Sequence, residues 1–144
     1  YTAGGMMTPE PLILPPDSTV AEALARVRDS DLSPSLAAQV YVVRAPFETP
    51  TGKYLGVAHF QRLLREPPSS LVSGVIETDL DPLPPGASLE QVAGVFATYN
   101  LVGCPVVDED GRLLGVVTVD DVMDHMLGEE WRARTIREEA GHGA

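Results

Sequence analysis

The sequence predicts an α+β fold made of two copies of a β-α-β-β-α unit, packed pseudo-symmetrically through their sheets. Two observations support this prediction. The first is an internal repeat, in which three pairs of segments match: Pro15–Val20 with Pro84–Leu89, Tyr41–Val43 with Pro105–Val107, and Gly56–Ala58 with Gly115–Val117. The second is that the first copy is longer only in its loops, which is where a duplicated unit tolerates insertions.

The elements of the first copy follow from hydrophobic periodicity and from proline and glycine stops. Short apolar runs predict strands, and apolar residues at helical spacing predict helices. The predicted elements are a strand over Leu12–Leu14, a helix from Val20, strands over Val40–Val43 and Leu55–Ala58, and a helix from Phe60. The proline-containing stretches Leu32–Gln39 and Arg44–Tyr54 are predicted to be loops.

A single unit of this size would leave one apolar sheet face exposed, so we expect the two units to pack together. The predicted boundaries are residues 1–66 for the first repeat with its glycine-rich lead, 67–70 for a linker, and 71–128 for the second repeat. Residues 129–144 are predicted to form a helical tail, in which Glu130 and Arg134 have the spacing of a helical ion pair.

Composition excludes several functional classes. The chain has 144 residues, 44% of them hydrophobic, and a net charge of −11, which disfavours nucleic acid and anionic membranes as partners. The single cysteine, Cys104, excludes an internal disulfide and fits a reducing compartment. The chain contains no apolar run of the roughly 18 residues that span a bilayer. Because it begins with Tyr1 rather than Met, we expect a piece of a longer protein.

The most informative stretch is the junction Gly115–Asp121, where an apolar strand runs directly into a helix. Thr118 stands at the helix start and Asp121 three residues later. One interpretation is a helix cap, with Thr118 as N-cap and Asp121 in the place usually taken by Glu or Gln. The other is a ligand site, in which the helix start and the hydroxyl face an anion and the carboxylate accepts from a sugar diol.

This junction, at the end of a tandem β-α-β-β-α pair, resembles the CBS domain pair (Bateman module). The resemblance covers essentially the whole chain, and it implies that Thr118 contacts the phosphate and Asp121 the ribose of an adenine nucleotide such as ATP or AMP. It also implies an adenine subsite near the middle strand and near the start of the second repeat. The residues implied there are Val102, Gly103, Cys104, Pro105, Thr78, Asp79 and Leu80.

The first copy departs from this pattern. His59 stands in the Thr position and Arg62 in the Asp position, and a guanidinium has no acceptor for a ribose diol. We therefore expect at most one nucleotide per chain, in the second repeat.

A narrower resemblance is to the cytosolic CBS pair of MgtE-type magnesium transporters and their soluble relatives. It rests on Ala3–Glu10, Val106–Leu113 and Val117–Val122. It implies an acidic N-domain and a membrane pore as neighbours, location in the cytoplasm or at the cytosolic face of a transporter, and a homodimer formed through the CBS repeats. It also implies Mg²⁺ held by acidic surfaces, for which Glu90, Asp121, Asp124 and Glu129 are the candidates. Ser88, Asn100, Arg132 and Ala133 stand where further carboxylates would be expected.

No catalytic apparatus is recognisable in the sequence. The histidines are scattered, and the acidic stretch Asp108–Gly111 lacks the frame of an EF-hand and is predicted to be a tight turn between strands. We therefore expect a non-enzymatic regulatory module. The alternatives are a nucleotide-sensing module unrelated to magnesium transport and a scaffold that only dimerises.

Overall fold

The computed structural model describes residues 1–128 and contains two small sheets flanked by helices. The strands are β1 (Ile13–Leu14), β2 (Gln39–Val43), β3 (Tyr54–His59), β4 (Gly103–Val107) and β5 (Leu113–Thr118). The helices are α1 (Ala3–Met6), α2 (Val20–Asp29), α3 (Pro34–Ala37), α4 (Phe60–Leu63) and α5 (Leu89–Tyr99). Residues 119–128 are also helical and are called α6. The α+β class is confirmed, and the predicted tail at 129–144 lies outside the described residues.

The predicted strands and helices of the first copy are present, with one addition. The stretch Leu32–Gln39, predicted to be a loop, contains the helix α3, so that prediction is wrong. Ser33 caps this helix through its hydroxyl, which accepts from the Leu36 N–H, and Pro34 occupies the first turn, where its missing N–H costs nothing.

The two sheets differ because prolines interrupt the second copy. In the first sheet the order is β1-β2-β3, with β1 parallel and β3 antiparallel to β2. The second sheet pairs β4 with β5, and its predicted first strand is reduced to a single parallel bridge between Leu83 and Val106. Pro82 and Pro84 flank Leu83, and neither has an N–H to extend the pairing.

The two repeats exchange their first segments. We call residues 1–8 the first lead segment and residues 70–77 the second lead segment. Thr8 pairs with Val116 of the second repeat, and in the mirrored contact Glu77 pairs with Val57 of the first repeat. Ala3 and Met6 accordingly lie in the core around Val92 and Phe96, whereas Val72 and Val75 lie in the core of the first repeat. The boundaries at 66 and 71 thus follow the duplication in sequence, while each packed unit includes the other's lead segment.

A third apolar cluster joins the repeats, so the structure is continuous across them. It contains Tyr41, Val43 and Val57 from the first repeat and Leu113 and Val116 from the second. The loop before β3 also reaches across, because the buried Thr51 hydroxyl accepts from the Leu113 N–H at 3.1 Å. Within residues 1–128 no helix is long and apolar enough to cross a membrane.

Candidate functional site at the junction of β5 and α6

The predicted helix cap is present at the start of α6. One oxygen of the Asp121 carboxylate, Oδ2, accepts from the Thr118 N–H at 3.0 Å and from the Thr118 hydroxyl at 2.9 Å. The Asp121 N–H donates in return to the Thr118 hydroxyl oxygen at 3.2 Å. Because each residue satisfies a backbone N–H of the other, the pair forms a capping box with Asp in the acidic position.

The cap leaves part of the Asp121 carboxylate available. Its second oxygen, Oδ1, makes no hydrogen bond within the described chain, and the side chain is only half-buried. The Thr118 hydroxyl is nearly inaccessible, at 3% exposure of the residue. The helix cap therefore does not exclude a ligand site, because one carboxylate oxygen holds the helix start and the other is left unbonded.

The middle-strand residues predicted for the adenine subsite lie directly beside this junction. Gly103 pairs with Thr118 in the β4–β5 ladder, and the Val102 carbonyl accepts from the Val119 N–H at 2.8 Å. Val102 is partly exposed, at 38%. Pro105 is buried, and its carbonyl accepts from the Leu83 N–H at 2.9 Å.

Cys104 is a core residue at this site. It is fully buried, and burial raises the pKa of its thiol to about 12, so the thiol stays protonated at neutral pH. A neutral thiol behaves as a small apolar side chain. Its side chain therefore supports the packing of β4.

The segment predicted to contact adenine from the start of the second repeat lies mostly at the surface. Thr78 and Asp79 are exposed, while Leu80 packs against the core of the second repeat. The segment connects Glu77, which is bonded to the first repeat, with Leu83 beside β4. No hydrogen bond joins these three residues to Thr118 or Asp121 within residues 1–128.

In the first repeat, the corresponding junction is occupied by the chain's own polar groups. His59 Nδ1 lies 3.2 Å from the Gln39 amide nitrogen, and His59 Nε2 lies 3.2 Å from a Glu77 carboxylate oxygen. The buried Tyr41 hydroxyl donates to the Gln39 amide oxygen. Arg62 pairs with Glu66 at 2.8 Å. The residues that replace Thr and Asp therefore bind other side chains of this protein.

A cleft of about 240 Å³ remains beside this network. Its lining residues are Ala38, Gln39, His59, Phe60, Gln61 and Val102. Sequence reasoning missed Gln39 and Glu77 as partners of His59. One feature of the sequence could have indicated this contact. Gln39 is a single polar residue at the start of an apolar strand, and it aligns with Gly103 of the second copy.

The structure places the predicted metal ligands within residues 1–128 on two different helices. Glu90 lies in the first turn of α5, whereas Asp121 and Asp124 lie on α6. Glu129 lies outside the described residues. Among residues 1–128, no three His, Cys, Asp or Glu side chains gather closely enough to hold a metal ion. A cation at these carboxylates would therefore need further ligands, such as water or carboxylates from a neighbouring domain.

A second contact that the sequence did not predict reaches this junction from α3. The Ser35 hydroxyl donates to Asp120 Oδ2 at 2.7 Å, which ties the extra helix of the first repeat to the first turn of α6.

Comparison with protein families agrees with this architecture. The family model described as "CBS domain" matches residues 3–69 and 72–128. The chain is 34% identical over 127 residues to the magnesium transporter MgtE of Thermus thermophilus, which covers 88% of this chain and 27% of that protein. It is 27% identical over 129 residues to the MgtE of Bacillus subtilis, with 89% and 27% covered. The chain thus spans about a quarter of the length of these relatives.

Solved structures show the same similarity. The cytosolic domain of the Mg²⁺ channel MgtE in complex with ATP superposes with a TM-score of 0.73 at 34% identity, covering 85% of this chain and 48% of that one. The soluble part of a magnesium transporter superposes with a TM-score of 0.75 at 29% identity, covering 89% and 48%. CBSX2 in complex with AMP, at 21% identity and a TM-score of 0.74, covers 90% of this chain and 98% of that one and shares the fold.

Proposed function

The chain belongs to the CBS domain family as a tandem pair, and we propose that it is a regulatory module whose second repeat binds an adenine nucleotide at the junction of β5 and α6. The observation that carries the proposal is the geometry of Asp121, which caps α6 with one oxygen and leaves the other for a ligand. The similarity to a cytosolic domain solved with ATP supports the choice of ligand.

In this proposal the roles of the residues follow their positions. Asp121 Oδ1 accepts from the ribose hydroxyls, and the positive end of the α6 dipole faces the phosphates, while the nearly buried Thr118 holds the Asp121 carboxylate in place. Val102 contributes apolar contact with adenine, and Thr78–Leu80 closes over the base. Binding does no chemistry on the nucleotide; it favours the arrangement of domains that binds it more tightly.

Calorimetry with ATP and AMP on Asp121 variants tests this proposal. Asp121→Glu retains the acidic residue of a capping box but displaces the carboxylate, whereas Asp121→Ala removes both the cap and the diol acceptor. We expect both variants to raise the nucleotide Kd by roughly 10- to 100-fold, the effect of losing a charged hydrogen bond. Only Asp121→Ala should also destabilise the fold, by about 1 kcal/mol.

Asp124→Ala is the matched control, because it removes one negative charge from α6 at an exposed position one turn further along. Its nucleotide affinity should stay within about twofold of the parent, since screening weakens charges that are not in contact. Equal affinities for the parent and both Asp121 variants would contradict the ribose contact.

We propose in addition that the acidic surface responds to Mg²⁺ and transmits the response to a neighbouring domain or membrane pore. Two observations favour this second role: the formal net charge of −11 and the 34% identity to a magnesium transporter. The candidate ligands remain Glu90, Asp121, Asp124 and Glu129, and those among residues 1–128 do not gather into a closed site. Mg²⁺ keeps several of its waters, and a site of this kind responds to millimolar cation.

Thermal melts in a MgCl₂ series test the magnesium role. If only the folded state binds the ion, a concentration 100 times the dissociation constant stabilises that state by about 2.7 kcal/mol. Because any salt relieves repulsion in an acidic chain, NaCl at equal ionic strength is the control. A melting temperature that follows ionic strength alone up to tens of millimolar MgCl₂ would exclude a specific site in this part of the protein.

A further inference from the structure

A second cleft, of about 520 Å³, lies in the first repeat and includes no residue of either strand–helix junction. Three segments that are distant in sequence form it: the stretch 9–13, Arg26 of α2, and Phe47–Thr49 of the loop between β2 and β3. The second repeat has no loop of this length, because the tight turn Asp108–Gly111 stands in its place. We call this site the loop cleft. Its volume is in the range of clefts that bind small molecules.

The walls of the loop cleft are held in place by the rest of the chain. The Thr49 hydroxyl donates to the Pro9 carbonyl at 2.8 Å and thereby joins two of the walls. The loop is also tied to the second repeat, because the N–H of the buried Thr51 donates to the Leu113 carbonyl at 3.0 Å. Pro9 and Pro11 restrict the backbone further through their fixed φ. A cleft that is formed before binding loses little conformational freedom when it takes up a ligand.

Charges of both signs line the loop cleft without pairing. Arg26 contributes a guanidinium, and Glu10 and Glu48 contribute carboxylates. None of the three forms an ion pair within residues 1–128. Phe47 also lines the cleft, and this large apolar residue is 42% exposed. The cleft therefore combines one cation, two anions and an apolar surface.

We propose that the loop cleft binds a free α-amino acid with an apolar side chain. Arg26 pairs with the carboxylate of the ligand, because a planar guanidinium matches the two oxygens of a carboxylate. Glu10 and Glu48 pair with its ammonium group. The ligand's side chain packs against Phe47 and Ile13, which supply the apolar part of the lining.

Ligands that carry a single sign of charge fit this cleft less well. A simple cation would be repelled by Arg26, and a simple anion, phosphate included, would be repelled by the two carboxylates. A zwitterion has no net charge, so the formal charge of −11 on the chain does not oppose its approach. The inference goes beyond the proposed nucleotide and magnesium sites and depends on neither.

Titration with amino acids and matched analogues tests the proposal. L-Leucine and L-phenylalanine are the probes. Two analogues keep the apolar group of leucine: 3-methylbutylamine lacks the carboxylate, and 4-methylpentanoate lacks the ammonium group. Titrations followed by nuclear magnetic resonance detect weak binding. We expect at least one of the two amino acids to bind, and each analogue to bind about tenfold or more weakly than leucine, because each loses one charged contact.

Two sets of variants assign the charged contacts. Arg26→Gln should weaken leucine binding by about tenfold and leave the affinity for 3-methylbutylamine unreduced, since that analogue has no carboxylate. The double variant Glu10→Gln, Glu48→Gln should weaken leucine binding similarly and leave the affinity for 4-methylpentanoate unreduced. Thermal melts show whether each variant is folded.

Arg28→Gln is the matched control, because it removes an equal charge from an exposed position of α2 that does not line the cleft. Its leucine affinity should stay within about twofold of the parent. Binding of neither amino acid at tens of millimolar, or an amine that binds as tightly as leucine, would overturn the proposal. An equal loss in Arg28→Gln and Arg26→Gln would overturn it as well. ATP calorimetry on the same samples reports separately on the nucleotide site.

Discussion

Asp108 organises the turn between β4 and β5 through its carboxylate. One carboxylate oxygen accepts from the N–H groups of Asp110 and Arg112, at 2.9 and 3.0 Å, and the other accepts from Arg112 Nε at 3.0 Å. Gly111 completes the turn at a φ of 78°, a conformation that favours glycine. The acidic stretch that could suggest a calcium loop is therefore a tight turn held by its own side chain, as the sequence predicts.

The Asp108 contacts predict an acid-sensitive contribution to stability. The Arg112 backbone N–H, with further help from the Asp110 N–H and the Arg112 guanidinium, holds the pKa of this carboxyl below its usual value. A lowered folded-state pKa stabilises the fold above the unfolded-state pKa of about 3.9, and this stabilisation is lost as the pH falls through the folded-state pKa. Asp108→Asn should therefore lower the melting temperature at neutral pH, and the difference from the parent should shrink on acidification.

Asp110→Asn provides the comparison for this pH series. It removes an equal charge from the same turn, but within residues 1–128 the Asp110 carboxylate makes one polar contact, at 3.4 Å to Arg112. Its effect at neutral pH should be smaller than that of Asp108→Asn. Equal effects of the two variants across the series would mean that net charge, and not the Asp108 hydrogen bonds, determines the difference.

At the scale of elements, the lead segments depend on glycines in the strands that receive them. A Cβ on Gly115 would lie 2.7 Å from the Thr8 carbonyl oxygen and 2.9 Å from Met7 Sδ. In the first repeat, a Cβ on Gly56 would lie 2.8 Å from the Glu77 carbonyl oxygen. The glycine of the repeated Gly-apolar-apolar motif is therefore needed for the close approach of a lead segment, in both copies.

Gly115→Ala should accordingly destabilise the protein by about 2 kcal/mol, the usual cost of inserting a methyl group into a filled site. Denaturant unfolding measures this change. Gly94→Ala is the matched control, because a Cβ there meets nothing within 4 Å and Gly94 lies inside α5. That substitution should stabilise the helix by roughly 0.5–1 kcal/mol. Destabilisation by Gly94→Ala, or a neutral Gly115→Ala, would contradict this account of the lead segment.

At the scale of the whole molecule, exchange of lead segments makes the two repeats one packed unit. The core of each repeat includes residues from the other's sequence, such as Met6 in the second and Val72 in the first. The third cluster, around Tyr41 and Leu113, fills the space between the sheets. A change in the packing of one repeat therefore reaches residues that belong to the core of the other.

The sequence by itself determined the duplication, the class of fold, the β5–α6 junction and the acidic turn. These features depend on local patterns: apolar periodicity, proline and glycine positions, and residues at fixed spacing such as Thr118 and Asp121. Even α3 had a local signal, in Ser33 followed by Pro34, but the surrounding polar residues outweighed it. The adenine residues, the metal ligands and the dimer remain predictions, because they depend on partners outside the chain.

Only the tertiary structure decided which parts of the chain pack together. It placed the lead segments on opposite repeats, brought Gln39 and Glu77 to His59, and joined Ser35 to Asp120. These contacts join residues far apart in sequence, and their formation depends on the close approach of backbones. The periodicity of one segment carries no information about which distant segment will cover it.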